Sequence, residues 1–185
     1  TTTVLSAVLE AGLDDVVFYG IFDPAAVEIM MKAGVGATVS LSLGGKMDMP
    51  AIGLKGEPLE VKGEVITLKG QDEMTYSGRR GRAGPSAVLR VGDRVDICVI
   101  SRHVEPNNLG CMEDLDIDAT TRKYLVLKSR VHWQNSRGFG PIYKGVVECD
   151  GTGVCGSDYS EMTFENVRRP IYPLEGDADP LSAAE

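Results

Sequence analysis

The chain has 185 residues and a formal net charge of −8, enough for one ordinary domain or at most two small ones. Hydrophobic residues make up 43% and charged residues 25%, a globular balance that excludes disorder of the whole chain. The acidic excess argues against nucleic acid as a partner, and apolar runs such as Val16-Val17-Phe18-Tyr19 are too short to make a membrane one.

In chain order, residues 3–11 predict a helix, with Val4, Leu5, Val8 and Leu9 on one face and Gly12 as the stop. Val16 to Phe22 reads as a buried strand. Asp23-Pro24 opens a second helix, because Asp caps well and Pro at the first position has no amide to satisfy. Val27, Met30 and Met31 form its apolar stripe, read as core rather than cofactor contact, and Gly34 or Gly36 ends it. Thr38 to Leu43 alternates as a strand with Val39, Leu41 and Leu43 inward, then runs into Gly44-Gly45-Lys46 and a loop to Pro58. Residues 59–69 form another strand whose alternation slips at Val65-Ile66, the mark of a bulge. A loop over 71–84 carries Arg79, Arg80 and Arg82, read as solvated. Residues 86–91 and 94–101 are predicted as a hairpin through Gly92-Asp93, with Gly placed for a type II′ turn. Residues 104–122 are irregular and acidic, with room for a short helical turn. Tyr124 to Leu127 is a short strand, followed by Ser129 as N-cap and a helix over Arg130 to Ser136. A second helical turn or a strand is expected over 142–149, and the acidic tail after Glu175 is expected to fray. The sum is an α+β fold: a mixed β-sheet with a β-hairpin and two or three packed helices.

Cys98, Cys111, Cys149 and Cys155 contain no C-x-x-C pair, so a zinc ribbon or redox motif is not supported and free thiols are expected. Cys98 lies in a strand pattern and reads as a small buried hydrophobe. With two histidines, His103 and His132, and no H-E-x-x-H, no metal site is assigned to this chain. Free thiols and the lack of a basic-then-apolar opening segment point to a cytoplasmic protein.

Three places have chemistry to offer. Lys128-Ser129-x-x-His132 sits at a strand-to-helix junction, where free amides and a Lys charge favour an anion and His132 is a candidate proton donor. The plain alternative is a capping Ser129, a solvated Lys128 and a packed His132. Gly44-Gly45-Lys46 permits close backbone approach to a ligand, or is simply a turn. Arg102, in Ser101-Arg102-His103, could clamp a carboxylate or remain on the rim.

Several stretches together resemble the C-terminal domain of the microcystinase C (MlrC) family of zinc metallopeptidases. They are Phe22-Asp23-Pro24-x-Ala26-Val27, Ala33-Gly34-Val35-Gly36-Ala37, Leu43-Gly44-Gly45-Lys46, Gly84-Pro85-Ser86-Ala87-Val88-Leu89-Arg90, Ser101-Arg102, Val126-Leu127-Lys128-Ser129-x-x-His132-Trp133 and Arg169-Pro170-Ile171-Tyr172-Pro173-Leu174. The resemblance implies a longer protein whose N-terminal domain carries the zinc and is absent from this chain, which starts at Thr1 without Met. On that basis residues 1–175 form the MlrC C-terminal-like domain and 176–185 a flexible acidic tail.

The function the resemblance implies is that of a C-terminal domain of a zinc-dependent peptidase or amidohydrolase, closing one side of the cleft and helping to bind a small peptide or amide substrate. Its partner is then the N-terminal zinc domain, with homo-oligomerisation as a further option, and the isolated chain is expected to be inactive. Lys128, Ser129, Arg102 and Lys46 are the expected substrate-binding residues and His132 the catalytic candidate, none with a metal. The competing function is structural or oligomeric, with no substrate contact.

Overall fold

The structure, a computed structural model, describes residues 2–71, 75–76, 79–80, 83–129, 131–134, 138–149, 151, 153, 159–161, 163–171 and 174–175. Its elements are α1 (Thr2–Glu10), β1 (Val16–Phe22), α2 (Pro24–Ala33), β2 (Thr38–Leu43), β3 (Leu59–Lys69), β4 (Thr75–Tyr76), β5 (Arg79–Arg80), β6 (Ser86–Val91), β7 (Val95–Ile100), α3 (Gly110–Glu113) and β8 (Tyr124–Leu127). Six strands form one mixed sheet in the order β2-β3-β6-β7-β1-β8. The pairs β1–β7 and β1–β8 are parallel, and the others are antiparallel. The fold is the α+β class read from the sequence.

The near-continuous apolar run of β1 follows from its position, since an interior strand covered on both faces has no solvated side. Val16, Phe18 and Ile21 join Leu5 of α1 and Val27 and Met30 of α2 in one cluster. Val17 and Tyr19 join Cys98, Cys111, Met112, Leu115 and Phe139 in a second cluster on the other face. The change of phase between Phe18 and Ile21 comes from a register shift between Tyr19 and Ile21, where Gly20 takes φ +108°. The bulge thus returns Ile21 to the helix-covered face at the strand's end.

Asp23 caps α2 as expected, its Oδ1 accepting the Ala26 amide at 3.0 Å, and Gly34 ends the helix. The slip in β3 is a true irregularity between Val65 and Thr67. Around it β3 changes partner: its first half pairs with β2 and its second half with β6, with Glu64 opposite both Thr38 and Arg90. This lets β2 run back so that its end, Gly44, meets Ile21 and Asp23 at the end of β1.

Four local expectations are corrected. The β6–β7 connection is three residues, with Val91 opposite Val95, because the Arg94 carbonyl accepts the Val16 amide at 2.9 Å and its side chain reaches Asp15 at 2.7 Å. The segment 71–84 contains the short β4–β5 ladder, Thr75 opposite Arg80; the Arg79, Arg80 and Arg82 side chains lie outside the described residues. Where a helix was expected from 130 to 136, the described residues form one 3-10 turn, His132–Gln134, which leaves the Ser129 hydroxyl without a backbone amide to cap. Beyond it a 3-10 turn covers Gly140–Ile142, and 143–149 have no helix or strand; the tail after 175 lies outside the described residues.

The opposite end of the strands is held by charge. Asp96 in β7 is fully buried and takes Arg90 Nε at 2.7 Å and Nη2 at 2.9 Å. The Arg122 guanidinium also meets Asp96 and extends to Asp15. A buried carboxylate between two guanidiniums is a satisfied structural unit. Among the described residues no helix is long and apolar enough to cross a membrane.

Candidate functional site

The three parallel strands β7, β1 and β8 end side by side, and a cleft of about 1430 Å³ opens at those ends. Strand ends in such sheets release the chain into loops, so side chains there can face a ligand without breaking the ladder. Phe22, Lys46, His103, Glu105, Lys128 and Ser129 all line this cleft.

Asp23 organises one wall. Its buried carboxylate caps α2, accepts the Gly44 amide at 2.9 Å and meets Lys46 Nζ at 2.7 Å. The start of α2 is therefore already neutralised by its own Asp, and Lys46, still 38% exposed, presents the outer charge. Gly45 takes φ +57°, and a Cβ there would lie 2.2 Å from the Glu57 carbonyl oxygen. The 44–58 loop can fold back over itself only with Gly at this contact.

The opposite wall is the end of β8. The Lys128 amide donates to the Tyr19 carbonyl at 3.3 Å, and the Ser129 amide donates to Leu127 at 2.8 Å. Lys128 is exposed and makes no ion pair among the described residues. The Ser129 hydroxyl is buried with no hydrogen-bond partner among the described residues.

Between the walls the His103 ring stacks on Phe22, centroids 3.6 Å apart and planes 27° apart. Glu105, two residues on, pairs with His132 Nδ1. Lys46, Lys128 and Ser129 thus share the cleft. His132 is 60% exposed and joins it only through Glu105, while Arg102 does not line it and packs its stem over Gly84. Sequence reading did not find Glu105, which lies 27 residues from His132. Nor did it find the reach of Asp23 to Gly44 and Lys46, although the N-cap pattern marked Asp23 itself.

No group of three His, Cys, Asp or Glu side chains suited to a metal occurs among the described residues. Asp23 in the cleft is already engaged by two amides and a lysine, and His132 at its margin by Glu105. They do not fit zinc. Beneath the sheet, burial pushes the Cys111 thiol up to about 12 and raises Cys98 and Tyr19 as well, so these groups are neutral packing elements and not nucleophiles.

Fold and cleft together define an α+β domain that presents a polar, cation-bearing wall at the ends of its parallel strands. The chain belongs to the family described as MlrC C-terminus, which it matches over residues 1–166. It is similar to microcystinase C from Sphingomonas sp, with 28% identity over 156 residues covering 84% of this chain and 28% of that protein. It also shares its fold with a candidate metallopeptidase from Mesorhizobium sp. BNC1, whose crystal structure was solved at 2.13 Å resolution. The TM-score is 0.71 at 22% identity, covering 92% of this chain and 33% of the other. The chain therefore spans about a third or less of the length of these relatives.

Proposed function

We propose that this chain is the substrate-side domain of an MlrC-like zinc peptidase or amidohydrolase, closing one side of the catalytic cleft and holding a small peptide or amide. The observation that carries this reading is the meeting of Lys46, Lys128 and the unpartnered Ser129 hydroxyl in one cleft at the ends of three parallel strands. Lys128 and Lys46 offer charge to a substrate carboxylate, and Ser129 offers a hydroxyl without a partner among the described residues. His132, oriented by Glu105, is placed to hold or pass a proton at the cleft's edge. The metal chemistry belongs in this reading to an N-terminal domain, since the described side chains supply no ligand set.

Acetylation footprinting of the full-length protein tests the assignment. A substrate peptide is expected to slow acetylation of Lys128 but not of Lys32, a 75% exposed lysine on α2. Equal slowing, or none at Lys128, contradicts a substrate-binding role for this wall.

A further inference from the structure

Of the chain's two histidines, only His103 lines the cleft. The ends of two parallel strands put it there. Phe22 closes β1 opposite Ile100, the last residue of β7, and the Asp23 amide ties the pair by donating to the Ile100 carbonyl at 3.0 Å. Beyond β7 the chain turns back and lays the His103 ring on the half-buried Phe22 ring, with centroids 3.6 Å apart and planes 27° apart. Stacking through the ring face fixes the plane of the imidazole and leaves its edge, where both nitrogens lie, uncovered by the phenyl.

Neither nitrogen of His103 has a hydrogen-bond or ion-pair partner among the described residues. Glu105, two residues on, is taken by His132. His103 is exposed, so the stack holds a polar ring edge in the open cleft, between the wall that carries Lys46 and the wall that carries Lys128. A neutral imidazole offers one N–H and one lone pair, and an amide group offers the matching carbonyl oxygen and N–H. The two lysines are donors only, and the Asp23 carboxylate is held by two amides and Lys46. His103 therefore brings to this cleft an acceptor that its cations lack, on a ring whose orientation is set before any ligand arrives.

We propose that His103 is a substrate-contacting residue, its imidazole braced by Phe22 and hydrogen bonded to an amide group of the bound ligand, beside the anionic group that the lysines hold. This rests on the substrate-binding reading above and adds a contact to the uncharged part of the ligand. His132, at the margin with Glu105, does not share that contact.

The test is nitrogen NMR of the imidazole and lysine ammonium groups of the full-length protein, titrated with tetra-alanine. His103→Phe serves as assignment and as the contact-deleting variant, because phenylalanine keeps a ring to stack on Phe22 and removes both nitrogens. Tetra-alanine is expected to shift the His103 nitrogens saturably. His103→Phe should bind it about tenfold more weakly at an unchanged urea midpoint, as the loss of a ligand hydrogen bond requires. Should the variant fail to fold, the shift in the unmodified protein still decides. A titration that moves the Lys128 ammonium signal and leaves the His103 nitrogens unmoved overturns this role for His103 and leaves the cleft reading intact. Undiminished affinity in a folded His103→Phe protein does the same. No shift at either residue overturns both.

Discussion

Asp23 holds three polar groups with one carboxylate, and the cleft wall depends on it. Asp23→Ala removes the cap of α2 and orphans the buried Gly44 amide. Expected destabilisation is about 2–4 kcal/mol, read as a shift in the urea midpoint. Asp23→Asn keeps one acceptor and should lose about half of that. His132 contrasts with it, being exposed and paired among the described residues only to Glu105. If the proposed function holds, His132→Ala in the full-length protein is expected to leave the urea midpoint unchanged while lowering turnover by a factor on the order of 10²–10⁴. Glu105→Gln should lower turnover in the same direction, and wild-type rates in both variants return this pair to the role of a surface contact.

At the scale of elements, the 44–58 loop and β3 place Lys46. Gly45→Ala meets both a positive φ and the Glu57 carbonyl, so the loop must open. A loss of about 1–3 kcal/mol is expected. Weaker peptide binding should accompany it, measured by calorimetry against the same variant's unfolding curve. Local chemistry made several elements legible in the sequence: the Asp23-Pro24 helix start, the slip at Val65-Ile66, and the apolar run of β1. The segment after Ser129 was misread because a serine beside a helix-compatible stretch looks like a cap, whereas the described residues of that stretch form the 3-10 turn His132–Gln134. The pairings of Asp23 with Lys46 and Glu105 with His132 span 23 and 27 residues. Such contacts leave no local pattern; only the fold creates them. Lys128 and Ser129 were legible because they follow directly on β8, where an apolar run stops abruptly, and Lys46 because a glycine pair follows the end of β2. Arg102 ends a strand too, yet it falls outside the cleft wall, because its stem packs on Gly84.

For the whole molecule, the two cores differ in pH response. The cluster under β1 buries Tyr19, Cys98 and Cys111, all with raised pKa values, Cys111 to about 12. Burial favours their neutral forms, so the unfolded chain gives up these protons first as pH rises. The stability they contribute is fully present below the ordinary thiol value near 9 and is lost progressively toward 12. Urea midpoints should therefore fall steadily across that alkaline range, and a flat profile would contradict neutral burial. In native alkylation at pH 8, the exposed Cys149 should react well before Cys98 and Cys111.

The central claim is that this domain touches substrate. Steady-state peptidase kinetics of the full-length protein with Lys128→Ala test it most directly. Lys128 is exposed and without an ion pair among the described residues, so its loss should change unfolding free energy by no more than about 0.5 kcal/mol. The account predicts a fall in kcat/KM of about tenfold or more, carried mainly by KM, as expected when a charged contact to substrate is removed. Wild-type kcat/KM in a stably folded Lys128→Ala protein would contradict it and leave the domain a structural role.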